Sequence, residues 1–360
     1  MRTKTDGGLT PTARRTARAR DRARTASDIK QRDSNKGSAH PATLRPRSSQ
    51  IMTTMPPLES QKNNRTVVIT GGTGGIGFYS ALGIARTGAR VIITGRNKDR
   101  GEEAVARIIE EANNPKVELV IGDVSSLANV DALSRELLQR VGQKLDVLVN
   151  NAGYLGNEPR TSSEGLEQHF ATNVVSPWRL TYAMLPALKA AGGTARVINL
   201  SAGDNPPQTP VALDVDNLQA EKGFKGLLTM AHSKSVMEAM TVALARELES
   251  EGVKVNVVFP GRASTAMTRS LSMRGLPGPM KLLLPCLKLF FKNDGGKGAA
   301  KAATSTIWAA TSDELEGVTG RYFGSNTKEC KMPPKTLDPQ VHARIVAAIE
   351  VAGATPNRRI

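Results

Sequence analysis

A glycine-rich segment near residue 70 has the spacing of a phosphate-binding turn. It reads Thr70-Gly-Gly-Thr-Gly-Gly-Ile-Gly77 and follows a β-branched run at residues 66–70. Gly71 permits a tight exit from a strand, Gly75 lets backbone approach a pyrophosphate, and Gly77 allows a helix to pack closely on a sheet. The helix that follows offers unpaired N–H groups and a positive dipole end to phosphate. We therefore predict a dinucleotide site at this turn.

The residues after the predicted second strand indicate which dinucleotide binds there. An NAD site favours an acidic side chain at this place for the adenosine ribose. This chain instead reads Thr94-Gly95-Arg96-Asn97-Lys98, and its first acid is Asp99. The Arg96 guanidinium can pair with a 2′-phosphate, although a solvated loop charge is the simpler alternative. The pattern favours NADP over NAD.

Beyond residue 65, β-branched runs alternate with helical stretches. The runs at 66–70, 90–94, 117–121, 145–149, 196–200 and 253–258 predict strands. The stretches through 87, at 98–113, 126–141, 163–191 and 228–250, predict helices. This alternation predicts an α/β fold, a single Rossmann-type doubly wound parallel sheet of about seven strands with helices on both faces. We assign it to residues 64–350, with residues 351–360 as a tail.

Five motifs, in the expected order, resemble those of the short-chain dehydrogenase/reductase family. The turn at 70–77 looks like its Thr-Gly-x-x-x-Gly-x-Gly signature, and Asp123 matches its adenine-contacting Asp. Asn150-Asn-Ala-Gly153 is similar to its Asn-Asn-Ala-Gly motif, Asn173 to its catalytic Asn, and Pro260-Gly261 to its Pro-Gly motif. The retinol-dehydrogenase-like, NADP-dependent branch is the most similar, through residues 94–97, 232–234 and 320–323.

The resemblance implies a cofactor site and part of a catalytic set. The implied cofactor contacts are Gly71, Thr73, Gly74, Gly75, Ile76, Gly77, Arg96, Asp123, Val124, Asn150, Asn151, Ala152, Gly153, Lys234, Pro260, Gly261 and Thr265. The implied catalytic residues are Lys234 and Asn173. The resemblance also allows a homodimer or homotetramer, and neither it nor the cysteine spacing suggests a metal.

The chain departs from the family at both positions that handle the proton. The family's Tyr lies four residues before its Lys, and here that position is Met230, whose thioether has no proton to give. The family's Ser aligns with Ala202, and Ser201 before it points to the other side of an extended chain. A register shift of one residue would bring Ser201 into place. Tyr154 is another candidate proton donor, with a pocket-wall role as its alternative.

Two functions fit this pattern. The first is an NADP(H)-dependent oxidoreductase that reduces a carbonyl, or oxidises the alcohol, of an apolar or aromatic, polyketide-like substrate with atypical proton delivery. The second is a catalytically silent NADP-binding scaffold or sensor. A lyase or dehydratase using the same pocket is a third, weaker interpretation.

The basic charge is concentrated at the N-terminus. Residues 1–55 carry thirteen Lys or Arg against four Asp, a net +9 of the chain's +16. We predict that residues 1–60 are a disordered basic extension. It could be a targeting segment, a contact for nucleic acid or anionic lipid, or a dispensable extension. Cytoplasmic localisation is expected, an organelle being the alternative, and nucleic acid is not the expected partner.

An apolar segment interrupts the strand–helix alternation at residues 270–292. Its core, residues 276–291, contains proline and lysine and is too short to span a bilayer. It predicts a lid over an apolar substrate, a helix packed on the core, or a peripheral membrane contact.

Overall fold

Seven parallel strands form one sheet in the order β3-β2-β1-β4-β5-β6-β7. The strands are β1 (Thr66–Ile69), β2 (Arg90–Gly95), β3 (Val117–Ile121), β4 (Val147–Asn150), β5 (Arg196–Leu200), β6 (Lys254–Val258) and β7 (Tyr322–Phe323). The computed structural model describes residues 64–202, 211–261, 263–270, 272–276, 278 and 294–353. The predictions for residues 1–60, for nearly all of 276–291 and for 354–360 lie outside these ranges. The sheet confirms the predicted α/β fold.

Helices cover both faces of the sheet. They are α1 (Gly75–Ala85), α2 (Lys98–Ala112), α3 (Leu127–Val141), α4 (Gln168–Phe170), α5 (Ser176–Lys189), α6 (Gly226–Leu248), α7 (Ala266–Arg269), α8 (Lys297–Thr311), α9 (Pro334–Leu337) and α10 (Pro339–Val351). Short 3₁₀ turns cover Met273–Gly275 and Asp313–Leu315. Within the described residues, no helix combines the length and hydropathy needed to cross a membrane.

Alternate residues of a strand pack into two separate hydrophobic cores. In β1, Val68 packs with the helices α3, α5, α6 and α10, whereas Val67 and Ile69 pack with α1, α2 and α8. This period of two is what a strand buried on both faces requires. The ends of the strands, where the site lies, are therefore held between two layers of helices.

The helix predicted over 163–191 begins later than expected. Ser162 N–H donates to Leu166 O at 2.8 Å, and Gly165 adopts a φ of +78°, so residues 162–166 form a turn. The Glu167 carboxylate then caps the helix by accepting from His169 N and Phe170 N. Because Glu167 serves as the cap, the helix itself starts at Gln168.

A π-helical turn at Ala171–Val175 joins α4 to α5. The Ser176 N–H donates to Ala171 O, five residues back, and the Ser176 hydroxyl donates to the same carbonyl at 2.9 Å. Such bulges occur mostly as single turns within α-helices and often at functional sites. Here the bulge carries Asn173, which is fully buried.

Candidate active site

The glycine turn lies where the order of the sheet reverses. β1 pairs with β2 on one side and with β4 on the other, so chain segments leave this point in opposite directions. In doubly wound sheets this topological switch point is the crevice that takes a ligand. The turn follows β1, and the residues Asn150 to Gly153 end β4 beside it.

The turn is packed so closely that a side chain at Gly77 would collide with it. A Cβ atom on Gly77 would lie 2.4 Å from Gly71 O and 2.5 Å from Asn151 Nδ2. Gly71 and Gly75 have φ values of +66° and +56°, in the left-handed region. A Cβ on Gly75 would lie 3.2 Å from Thr265 Cγ2, so Thr265 reaches the turn. The sequence reasons given for these glycines therefore have counterparts in the structure.

Asn150 and Asn151 hold the strand ends together. Asn151 Nδ2 donates to Thr70 O at 2.7 Å and to Gly71 O at 3.2 Å, and Asn150 Nδ2 donates to Asn199 Oδ1 at 2.8 Å. The Thr70 hydroxyl accepts from Ala152 N at 3.0 Å. In the contacts that the structure shows, these two asparagine side chains fix the shape of the crevice.

The remaining predicted cofactor residues follow the carboxyl ends of β1, β3 and β6. Thr73 stands against Gly95 at the end of β2, because a Cβ on Gly95 would lie 2.4 Å from Thr73 Cγ2. The Asp123 carboxylate accepts from Ser125 N and Oγ after β3, and Val124 O accepts from Ser176. Pro260 and Gly261 follow β6, and Ile76 packs beside Ala263.

Two exposed arginines lie at the rim of the turn. Arg96 follows β2, as predicted, and its side chain is exposed. Arg100, which the sequence reasoning missed, brings Nη2 to 3.5 Å from where a Cβ on Gly74 would stand. Asn97 caps α2 and accepts from Arg100 N at 2.9 Å, which directs the start of this helix toward the turn. An arginine in the first turn of that helix was the available signal.

Lys234 and Asn173 come together beside Gly153. A Cβ on Gly153 would lie 3.4 Å from Asn173 Oδ1 and 3.8 Å from Lys234 Nζ. Lys234 Nζ donates to Leu200 O at 2.7 Å. Burial lowers the pKa of Lys234 to about 8, although the nearby Glu238 carboxylate opposes the shift. Lys234 thus faces the crevice and is not a solvated surface lysine.

Asn173 has its amide committed to neighbouring protein groups. Its Oδ1 accepts from Tyr154 N at 2.8 Å, and its Nδ2 donates to Tyr154 O at 3.1 Å and to Ser233 Oγ at 2.9 Å. Ser233 therefore supports Asn173 from α6, a role that sequence reasoning did not single out. This arrangement fixes the main chain after Gly153 against the lysine-bearing helix.

Tyr154 is directed toward the following loop. Its hydroxyl would lie 2.3 Å from a Cβ on Gly156, so the ring folds over that glycine, and it packs at 4.8 Å against the His169 ring. Desolvation raises the pKa of Tyr154, with Arg160 opposing and Glu167 adding to the shift. In this position the Tyr154 ring covers the loop at Gly156.

The place of the family's tyrosine is apolar. Met230 and Leu227 pack against buried Leu155 and Leu276. The helix α6 approaches closely because a Cβ on Gly226 would lie 2.0 Å from Gly156 O. His232 turns away from this cluster, and its Nε2 accepts from Asp214 N at 3.0 Å.

Ser201 faces α6 and not the position expected for the family's serine. Its N–H donates to Val258 O at 2.8 Å, which continues the pairing of β5 with β6 without a register shift. Its hydroxyl donates to the Glu238 carboxylate. Ala202 is exposed after the strand. Sequence reasoning missed Glu238, although a single acid in the apolar stretch 236–240 was a visible signal.

The described residues offer a nucleotide cradle without a metal cluster. Among them, no group of three or more His, Cys, Asp or Glu is placed to hold a metal ion. The close packing at Gly77 and Gly75, the exposed arginines and Lys234 fit a dinucleotide with its phosphates at the start of α1.

Comparison with known proteins agrees with this site. A family model described as enoyl-(acyl carrier protein) reductase matches residues 71–278. Human polyprenol dehydrogenase is 34% identical over 283 residues, covering 76% of this chain and 81% of that protein. Human retinol dehydrogenase 14 is 32% identical over 307 residues, covering 80% and 86%.

A solved structure gives the same assignment. The Pseudomonas aeruginosa RhlG/NADP active-site complex has a TM-score of 0.53 and 26% identity, covering 75% of this chain and 97% of that one. The five motifs, the sheet order and these relatives together lead to one assignment. The chain belongs to the short-chain dehydrogenase/reductase family of alcohol and carbonyl oxidoreductases.

Proposed function

We propose that this protein is an NADP(H)-dependent oxidoreductase that interconverts an apolar alcohol and its carbonyl, with proton delivery unlike that of its family. The observation that carries the proposal is the contrast between the two halves of the site. Lys234 and Asn173 meet beside Gly153 at the nucleotide crevice, whereas Met230 fills the tyrosine position with an apolar contact.

The cofactor preference is argued from charge. Arg96 and Arg100 stand exposed at the rim of the turn, where the sequence offers no acid for a ribose hydroxyl. Guanidinium groups pair well with phosphate, so a 2′-phosphate is favoured over a free ribose. When bound, the nicotinamide supplies the hydride and accepts it in the reverse direction. The chain's own residues then have to orient the substrate and move one proton.

The substrate class is argued from the wall of the pocket. Leu155, Leu227, Met230 and Leu276 form an apolar cluster next to the lysine-bearing helix. The names of the two human relatives denote polyprenol and retinol, both long apolar alcohols. The cluster suits such a chain or an aromatic ring.

A silent NADP-binding protein is the second candidate. Met230 and Ala202 favour it, because neither side chain can exchange a proton. Under this interpretation the same crevice would bind NADPH and report its level.

Binding and turnover measured on the same preparation separate the two candidates. NADPH binding is followed by nucleotide fluorescence, and NADPH oxidation by absorbance, with retinal, a polyprenal and a hydroxyquinone as substrates. The proposal expects turnover of at least one substrate together with binding. Firm NADPH binding without turnover of any carbonyl, or of retinol with NADP⁺, would overturn it and support the silent protein.

A further inference from the structure

A half-buried carboxyl group lies one helical turn beyond Lys234. Met230, Lys234 and Glu238 follow each other at intervals of four on α6, so they share one side of the helix. Met230 lies in the apolar cluster toward the substrate side, and Glu238 lies at the end of β5, where it accepts from the Ser201 hydroxyl. The lysine is therefore placed between an apolar group and an acid.

We propose that Glu238 is a proton-storing positioning residue that reloads Lys234, so that Lys234 can give the proton that the family's tyrosine would give. The inference rests on the proposed function, since it concerns how that reaction obtains its proton. Three geometric observations carry it: the shared helix side, the Ser201 contact, and the Lys234 bond to Leu200 O next to Ser201.

The charged surroundings of Glu238 are simple. Among the described residues, Lys234 is the charged group that acts on it, and β5 faces it with the neutral Ser201 hydroxyl. The neighbouring polar groups, Asn173 from the π-helical turn and Asn199 from β5, bond Ser233 and Thr241. Desolvation raises the pKa of Glu238 to about 7, against the lowering effects of Ser201 and Lys234. The group thus titrates near neutral pH, as a proton store must.

The proton that is added to the carbonyl oxygen comes finally from solvent. In the reducing direction, one N–H bond of the Lys234 ammonium breaks and one O–H bond forms on the former carbonyl oxygen. A solvent molecule then carries the proton of the Glu238 carboxyl to the neutral Lys234 amine, and bulk solvent protonates the Glu238 carboxylate again. One solvent proton is consumed in each turnover, and Glu238 undergoes no redox change.

The test compares E238Q with E249Q. The amide introduced by E238Q would keep an oxygen that can accept from Ser201 but would not titrate. Glu249 follows the same helix, is exposed, and supplies the matched loss of one carboxylate. We measure kcat for retinal or hydroxyquinone reduction between pH 5 and 9, NADPH affinity, and the infrared band of protonated carboxyl groups across the same range.

The expected result is specific to E238Q. Its kcat falls at least ten-fold near pH 7, and the bend of the wild-type pH profile near pH 7 disappears, while NADPH affinity changes less than two-fold. The wild-type carboxyl band titrates near pH 7, and E238Q lacks it. E249Q matches the wild type in all three measurements.

Two failures are distinguishable. An active wild type whose E238Q variant keeps the same kcat and pH profile overturns the Glu238 inference alone. A wild type that binds NADPH and turns over no substrate overturns the proposed function, and the Glu238 role with it. An infrared titration of Glu238 outside the pH 5–9 range overturns the inference whatever the activity.

Discussion

Arg96 and Arg100 place two guanidinium groups at the rim of the glycine turn. Both side chains are exposed, and each is a short distance in sequence from the end of β2. The neighbouring cation Lys98 is paired with Glu102 at 3.8 Å. The two arginines are therefore the cations of this rim that we expect to contact a 2′-phosphate.

Replacing Arg96 should change nucleotide preference. We expect Arg96→Ala to raise the Kd for NADPH roughly 10- to 100-fold, because a charge-assisted hydrogen bond contributes about 1.5–3 kcal/mol. The Kd for NADH should change less than three-fold. Arg135→Ala, on the exposed side of α3, is the control. Equal losses for both nucleotides, measured by fluorescence titration, would contradict a phosphate contact.

Met230 and Ala202 stand where the family has its proton-handling side chains. Restoring both, as Met230→Tyr with Ala202→Ser, should raise kcat at least ten-fold, since a positioned general acid typically contributes 10²–10⁴-fold. NADPH oxidation with the carbonyl panel measures the effect. Met267→Tyr, at an exposed site outside the cluster, controls for an added phenol. Unchanged kcat would show that the native proton route already suffices.

At the scale of elements, the glycines between β1 and α1 meet two different requirements. One allows close packing, and the other leaves open space. Gly77 has no room for a Cβ, because Gly71 O and Asn151 Nδ2 occupy that space. Gly74 has only Arg100 Nη2 nearby among the described residues, at 3.5 Å, an ordinary contact. Gly77 is therefore needed for the packing of the protein itself, whereas Gly74 leaves space that a ligand can use.

These glycines should respond differently to alanine. Gly77→Ala should lower the free energy of unfolding by about 2 kcal/mol, within the range for overpacked sites. Gly74→Ala should leave unfolding unchanged while weakening NADPH binding, because its Cβ enters the space offered to the nucleotide. Urea unfolding and fluorescence titration measure both. Destabilisation by Gly74→Ala equal to that by Gly77→Ala would refute this division.

Helix α6 combines three tasks along its length. Its N-terminal part closes on the loop at Gly156, its middle presents Lys234, and its later turns bury Met237, Met240, Leu244 and Leu248 in the core. All four side chains are almost fully buried in this core. Because the anchored turns follow the lysine directly, the position of Lys234 is set by packing and not by a flexible loop.

At the scale of the whole molecule, the pH dependence of stability should reveal the raised pKa of Glu238. The pKa of Glu238 is about 7 in the folded chain and near 4.5 when unfolded. The native state then binds more protons between these values, so stability falls as pH rises from about 4.5 to 7. The loss is about 3 kcal/mol at most.

Comparing variants isolates this effect. In E238Q, the free energy of unfolding should lack that decline, so its difference from the wild type should grow from about pH 4.5 to 7 and then level off. E249Q should follow the wild type throughout. Urea unfolding at fixed pH values gives the measurement. Parallel curves for wild type and E238Q would show that Glu238 has an ordinary pKa in the folded chain.

The sequence by itself determined the sheet, the glycine turn and the cofactor half of the site. These follow from local patterns: continuous β-branched runs, glycines between a strand and a helix, and an arginine at a strand end. The missing proton donor was also readable, because Met230 occupies a fixed interval before Lys234 on one helix. Helix ends were less exact, as at Gln168, where a glutamate cap competes with helix continuation.

Tertiary structure alone decided what the side chains do. The commitment of Asn150 and Asn151 to strand ends, of Asn173 to Tyr154 and Ser233, and of Ser201 to Glu238 joins residues far apart in the chain. No local pattern encodes these pairs, since each depends on which strand lies beside which helix. The half-buried position of Glu238 near Lys234 has the same origin: spacing puts both on one side of α6, and only packing reduces their exposure to water.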